Sequence, residues 1–315
     1  MTDRISDIRK ILREPFKEDF NKFAFLKEIS EFVSTEHGFA QEFVLRVFAR
    51  IDEFADYHDI VIDLVKQIGL YPYLKEETLS LRNRLAFEMH RVEGMDGVVF
   101  HRSQAAVYNH LMDGKNVILS APTSYGKSLI VDSIIASGRF NNIIVIVPSI
   151  ALIDETRKRL SIFKEQYKIV TYPHQEIAEK NVMILTQERA IEIIDQVKVD
   201  FFVIDEFYKI GTRSDGDERY RILNQVFYKL VKTGAQFYLL GPNIENINIG
   251  TLDKIQFEFI KTDFKTVVSE RHLVTIHSNE ERLDELVKIL SNTNQPTLVY
   301  CQSPTSANHL AIQLL

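Results

Sequence analysis

From residue 98 onward the sequence is built of short apolar runs that do not alternate with polar residues: 117–119 (VIL), 143–147 (IIVIV), 182–185 (VMIL), 201–204 (FFVI) and 237–240 (FYLL). Successive side chains of a strand point to opposite faces, so a run without alternation has to be covered on both. The segments between the runs, among them 129–136, 151–163 and 219–232, have the length and apolar spacing of helices. Strand and helix in regular succession close into a parallel sheet with helices on both faces. Residues 99–262 are therefore expected to form a doubly wound parallel α/β domain.

The residues before it read differently. Phe39, Phe43, Val47, Ile51 and Phe54 recur at helical spacing, as do Ile60, Val61, Leu64, Val65 and Ile68, the latter stopped by Gly69 and Pro72. Phe16, Phe20, Phe23 and Lys27 begin a further stripe that breaks off. Residues 1–98 are expected to be an all-α domain whose aromatic faces form a core against the sheet domain, or else a groove for a partner protein. At the other end the pattern weakens. Possible strands at 255–260 and 273–276, a helix at 280–290 and a hinge at 292–296 make 263–296 a connecting segment. TLVYC (297–301) then reads as a new buried strand followed by a helix from Thr305. The polar loop 211–218 (GTRSDGDE) is expected to be mobile.

Composition removes several function classes. The longest apolar runs are about five residues, far short of the roughly 20 of a membrane-spanning helix. The first residues, MTDRISDIRK, contain no apolar leader segment. One cysteine, Cys301, excludes an intramolecular disulfide framework and a multi-cysteine zinc site, and a cytoplasmic location is expected. The net charge is −6, with 14 basic and 19 acidic residues in 1–98 against 24 and 25 in the rest. Nucleic acid would have to bind in a local groove and not through a global positive field.

The chemistry concentrates in NVILSAPTSYGKSLI (116–130), where a strand runs into a loop and the loop opens a helix. A-x-x-x-x-G-K-S differs from the usual P-loop in having Ala121 in place of the first Gly. The loop Pro122, Thr123, Ser124, Tyr125, Gly126, Lys127 and Ser128 would cradle the phosphates of ATP. Its N–H groups lie at the positive end of a helix, where they lack intrahelical partners. Gly126 allows close approach, Lys127 neutralises the β and γ phosphates, and the Ser128 hydroxyl ligates Mg²⁺. Asp205 and Glu206 follow 78 residues after Lys127, at the end of FFVI. Two acids leaving a buried strand end face different directions and can divide the work: Asp205 for the Mg²⁺ shell, Glu206 to orient and deprotonate water. The plainer alternative is a solvated strand end.

With these two motifs in order, the chain resembles a superfamily 2 helicase of the DExH/DEAD type, and within it the Ski-like bacterial branch, some of whose members accompany phage-defence genes. The resemblance covers roughly residues 100–315. It implies a RecA-like P-loop NTPase domain with the doubly wound sheet, then the first part of a second RecA-like domain at 297–315. Gln104, 17 residues before Ala121, matches the glutamine that reads adenine, with Phe100 beside the base. VPSIALIDE (147–155) resembles motif Ia, which places Pro148 and Ser149 on the nucleic-acid backbone. TQER (186–189) resembles motif Ib, with Thr186 and Arg189 on phosphates; otherwise Thr186 merely caps a helix and Arg189 is solvated. Arg157 and Lys158 are further candidates or simply solvated. CQSPTSA (301–307) resembles the strand and phosphate-contacting loop of the second domain, with Ser303 as the contact. LLGPNI (239–244) stands where the family has S-A-T, and Tyr208 where it has His or Asp.

The resemblance implies an ATP-dependent helicase or translocase on single-stranded DNA or RNA. It places the arginines that complete hydrolysis beyond Leu315, so this chain alone should bind Mg·ATP and hydrolyse it weakly. Two other classes share some of these features. A P-loop small-molecule kinase has G-K-S and an acidic strand end but no need of Gln104 or a second domain. An ATP-driven switch or scaffold would act through the helical residues 1–98.

Overall fold

The computed structural model describes residues 2–35, 38–76, 79–210, 218–242, 244–245, 255–268, 273–293 and 296–314. Helix α1 (Thr2–Arg13) stops one residue before the residue preceding Pro15, whose ring disfavours helix there. The expected stripe from Phe16 is not a helix at its start. Phe16 and Phe20 stack face to face at 4.6 Å in the connection, and α2 (Lys22–Ser34) begins after Asn21, whose side chain caps the Ala24 N–H. The stripe from Phe39 to Phe54 crosses a break: α3 (Ala40–Phe48) is followed by a 3-10 turn, Ile51–Tyr57. Phe43, Val47 and Phe54 are nevertheless fully buried in one core. Helix α4 (His58–Gln67) ends at Gly69, with φ of +79°, and α5 (Leu81–Glu88) completes the block.

The α/β part follows as α6 (Arg102–Met112), β1 (Asn116–Ser120), α7 (Lys127–Ala136), β2 (Asn142–Ile146), α8 (Ile150–Leu160), β3 (Lys168–Val170), β4 (Asn181–Leu185), α9 (Gln187–Ile193), β5 (Phe201–Asp205), α10 (Glu218–Lys232), β6 (Gln236–Gly241) and β7 (Phe257–Lys261). All seven strands are parallel, in the order β3-β4-β2-β5-β6-β1-β7. The runs at 117–119, 143–147, 182–185, 201–204 and 237–240 each correspond to a strand, and β3 is a strand the runs did not show. Alternate residues of one strand enter different cores. Val117, Leu119, Val145 and Val203 meet Val107, Ile130, Ile134 and Leu160 of α6, α7 and α8. Ile118, Ile144, Phe202 and Phe237 meet Ala190, Leu223, Val226 and Leu230 of α9 and α10. This is the double winding that non-alternating runs require. Each such fully buried side chain contributes on the order of 2 kcal/mol.

Residues 1–268 form one compact unit and residues 269–315 another. The helical block is not a free-standing appendage, because the chain returns to it after β7. Phe264 and Val268 pack on its core, the Lys265 N–H donates to Gln41 Oε1 at 3.1 Å, and the Tyr73 hydroxyl donates to the Thr266 carbonyl. The second unit contains α11 (Asn279–Ser291), capped by Ser278, and α12 (Pro304–Leu314). Here two expectations fail. Residues 273–276 and 297–301 form no strand, and Leu273, Leu298 and Tyr300 are 98%, 96% and 88% exposed. An apolar run becomes a strand only when its N–H and C=O groups find a ladder, and among the described residues none faces these two. The expected loop 211–218 lies outside the described residues except for Glu218, which opens α10, as do Asn243 and part of the expected hinge, 294–295.

Candidate functional site

The carboxyl ends of three adjacent strands come level. Asp205 of β5 stands opposite Leu240 of β6, and Gly241 of β6 opposite Ser120 of β1. The loop leaving β1 and the acids leaving β5 are thus two strand spacings apart, about 10 Å. Ligands of open parallel sheets bind at this edge.

The loop is shaped by local constraints. Thr123–Tyr125 form a 3-10 turn, and Gly126 adopts φ +83° and ψ 36° before α7 begins. A Cβ at Gly126 would lie 2.5 Å from Gln104 Nε2, so this position requires glycine for conformation and for space. Lys127 Nζ donates to the carbonyls of Ala121 and Pro122 at 2.9 and 3.0 Å. Burial lowers its pKa, and the charge of Asp205 opposes that shift. Thr123, Ser124 and Ser128 are exposed, and Pro122 is half-buried. Tyr125 differs from its neighbours. Its ring is 1% exposed, its hydroxyl is 2.8 Å from Ser103 Oγ, and burial pushes its pKa up to about 12. Its side chain anchors the loop from below instead of lining the cradle.

Burial raises the pKa of Asp205. The Glu206 N–H, bonded to Asp205 Oδ1 at 2.9 Å, works against that shift, the Glu206 charge adds to it, and the Lys127 charge opposes it. Lys127 and Asp205 therefore feel one another, as one site requires. Glu206 is the one non-glycine with positive φ among the described residues, at φ 57° and ψ 39°. Such a conformation in a side chain with a Cβ costs about 1–2 kcal/mol and marks functional sites. Its carboxylate accepts from the Lys209 ammonium, with the Tyr208 hydroxyl as a further partner. The Tyr208 ring packs against Gly241, where a Cβ would lie 3.1 Å from it, so the ends of β5 and β6 are in contact through Tyr208.

Residues 101–241 match the DEAD/DEAH box helicase family, and residues 1–84 match the N-terminal domain of anti-bacteriophage protein B. Residues 101–241 are thus similar to a DEAD/DEAH box helicase domain. It is 36% identical to anti-bacteriophage protein B of Escherichia coli (strain K12), over 95% of this chain and 43% of that protein. A helicase POLQ-like protein of Caenorhabditis elegans is 26% identical over 58% of this chain and 23% of its own. The chain thus spans less than half the length of these relatives. Among solved structures, the DUF1998 helicase MrfA bound to DNA and AMPPNP superposes with a TM-score of 0.48 at 15% identity, covering 68% of this chain and 35% of that one.

Gln104 makes contacts that its sequence position does not disclose. Its amide oxygen accepts the His101 N–H at 3.2 Å, and its amide nitrogen donates to the carbonyls of Tyr125 and Gly126 at 3.0 and 3.4 Å. The side chain is 4% exposed and fastens α6 to the phosphate loop. Phe100 does not stand beside a base. It is 2% exposed and packs in the sheet core near Tyr108, leaving no ring face open. His101, which the sequence reading passed over, is central. It caps α6, stacks on Phe264 at 4.2 Å, and its Nε2 lies 3.2 Å from the Tyr125 carbonyl. Because Nδ1 accepts the Gln104 N–H, Nε2 carries the proton in the neutral ring. Thr266 adds a bond to the Ser124 carbonyl at 3.2 Å. The contacts of Phe264 and Thr266 join segments too distant in the chain to be read from the sequence.

Of the residues expected on nucleic acid, Pro148 and Ser149 open α8, where Ser149 Oγ caps the Leu152 N–H at 3.4 Å. Thr186 is 4% exposed and its hydroxyl serves Glu188, so it presents little to a phosphate. Arg189 donates to the Thr171 carbonyl at 2.9 Å and lies over the Tyr172 ring at 4.3 Å. Arg157 pairs with Asp154 on α8 at 3.4 Å. Ser303 belongs to the second unit and caps α12 through the Ser306 N–H at 3.1 Å. Two cations went unremarked: Lys209, and Arg219 of α10, which donates to the Pro148 carbonyl and to Glu188 at 2.8 Å each.

Proposed function

We propose that this chain is the nucleotide-binding part of an ATP-dependent helicase or translocase acting on single-stranded DNA or RNA. The observation that carries the reading is the placing of the Lys127 loop and Asp205 at one sheet edge, on β1 and β5 either side of β6, beside a strained Glu206. The donor set fits Mg·ATP: a glycine-cornered loop at a helix start, an ammonium resting on two carbonyls, an exposed hydroxyl at Ser128 and a carboxylate at Asp205. Magnesium typically takes one or two protein oxygens and completes its shell with phosphates and water. Bound there, it would neutralise charge on the transferring phosphoryl group.

The residues then divide the work. Lys127 would leave its two carbonyls to neutralise phosphate charge, and the N–H groups around Ser124–Ser128 would hold the phosphates. Pro122 and Thr123 complete the loop's outer wall. Ser128 and Asp205 would hold Mg²⁺. Glu206 orients water and accepts its proton at a carboxylate oxygen. Gln104 keeps the loop on α6, and reading of adenine by the same amide would require it to leave Tyr125 and Gly126. A strand would run past Pro148 and Ser149 at the start of α8, with Arg189 and Thr186 as further contacts. Ser303 of the second unit would be a nucleic-acid contact of that unit by itself. Residues 1–98 would receive a partner protein. The likeness to anti-bacteriophage protein B supports a role in defence against phage, in the cytoplasm; among the described residues no helix is long and apolar enough to cross a membrane.

The test is ATP turnover with and without single strands, alongside Glu206→Gln. Turnover should rise with strands, and the variant should lose about 10²–10⁴-fold while still binding ATP. Equal turnover in the two proteins would refute a catalytic role and favour a switch or scaffold.

A further inference from the structure

Glu206 is asked to take a proton from water, yet its carboxylate is engaged. Lys209, three residues on, brings its ammonium onto Glu206 Oε2, and the Tyr208 hydroxyl bonds the same group. A carboxylate so held has one oxygen occupied, and release of the ammonium opens that oxygen to water. Lys209 itself faces two ways. Its side chain is 32% exposed, and it lines a cavity of about 60 Å³ with Asp205, Pro148, Gln187, Arg219 and Tyr220. The cavity spans the carboxyl ends of β2 and β5. One wall is therefore the acid end of the ATP site and the other is the turn into α8, where the proposed strand would run. Arg219 fixes that second wall by bonding the Pro148 carbonyl and Glu188. A lysine suits an exchange of partners across such a space, being a compact charge on a flexible stem with no planar geometry to satisfy.

We propose that Lys209 is a positioning residue that passes between Glu206 and a phosphate of the nucleic-acid backbone. Paired with Glu206, it holds the base back; drawn onto a strand phosphate beside Pro148, it frees the carboxylate for water. Strand binding and readiness for hydrolysis are then coupled through one ammonium, and the coupling is reciprocal. The inference rests on the proposed strand site.

Reciprocity supplies a test that needs no turnover. Binding of fluorescein-labelled oligo-dT and oligo-U to the full chain is followed by anisotropy over a salt series, without nucleotide. Lys209→Met should weaken binding several-fold and flatten the slope of log K against log salt by about 0.7, the value for one phosphate contact on a single strand. Glu206→Gln, which releases the ammonium, should tighten binding several-fold, the double variant should match Lys209→Met, and Lys209→Arg should bind like the parent. In turnover, Lys209→Met should raise the strand-free rate and shrink the stimulation. If Lys209→Met binds with the parent's affinity and slope, or Glu206→Gln tightens binding equally when Lys209 is absent, the exchange is refuted while the functional reading stands. If the parent binds neither oligonucleotide, that reading itself falls.

Discussion

At Gly126 two demands coincide, since φ is +83° and a Cβ would strike Gln104 Nε2. Gly126→Ala should cost about 1–2 kcal/mol for the left-handed conformation alone and should abolish ATP binding, measurable by denaturation and by a fluorescent nucleotide. At His101 the lever is pH. Burial, with the nearby His90 adding to it, pushes the imidazole down to about 4 against the bond to Tyr125. The folded protein binds it neutral, whereas the unfolded chain protonates it near pH 6.5. Its stabilising effect is complete above pH 6.5 and is lost as pH falls toward 4, on the order of 3 kcal/mol in total. His101→Asn keeps a capping side chain and should show less loss of stability between pH 6.5 and 4 in urea melts.

At the scale of elements, the placement of α7 matters because it carries Lys127 and Ser128. Its Asp132 is 7% exposed and pairs with Arg159 of α8, which also reaches the Ser128 carbonyl at 3.3 Å. Burial raises the Asp132 pKa against the Arg159 charge and hydrogen bond. Arg159→Met strands a buried carboxylate and should cost about 3–5 kcal/mol. Adding Asp132→Asn should recover part of this, as chemical denaturation of the single and double variants would show. Strands were legible at this scale because burial on both faces leaves runs such as FFVI no choice of composition. The short β3 was not, since its KIV carries one fully buried residue, Val170. The runs 273–276 and 297–301 have the composition of strands without a ladder to join.

At the scale of the molecule, the helical block and the sheet domain share their boundary through Phe264, Lys265 and Thr266. Residues 1–268 should therefore unfold in one transition, with calorimetric and van't Hoff enthalpies equal; two resolved transitions would show independent domains. The same return of the chain stacks Phe264 on His101 and bonds Thr266 to the phosphate loop, so the helical block adjoins the nucleotide site.

The sequence by itself determined the parallel sheet, the strand–loop–helix turn at Gly126 and the acid pair at the end of β5, because each depends on neighbours in the chain: burial of consecutive residues, a helix start after a glycine, two acids at one strand end. Tertiary structure alone decided the roles of Phe100, Gln104, Tyr125, His101 and Lys209. Whether an aromatic ring meets solvent or core, and which partner an amide or an ammonium chooses, depends on segments distant in sequence that only folding brings within hydrogen-bond reach.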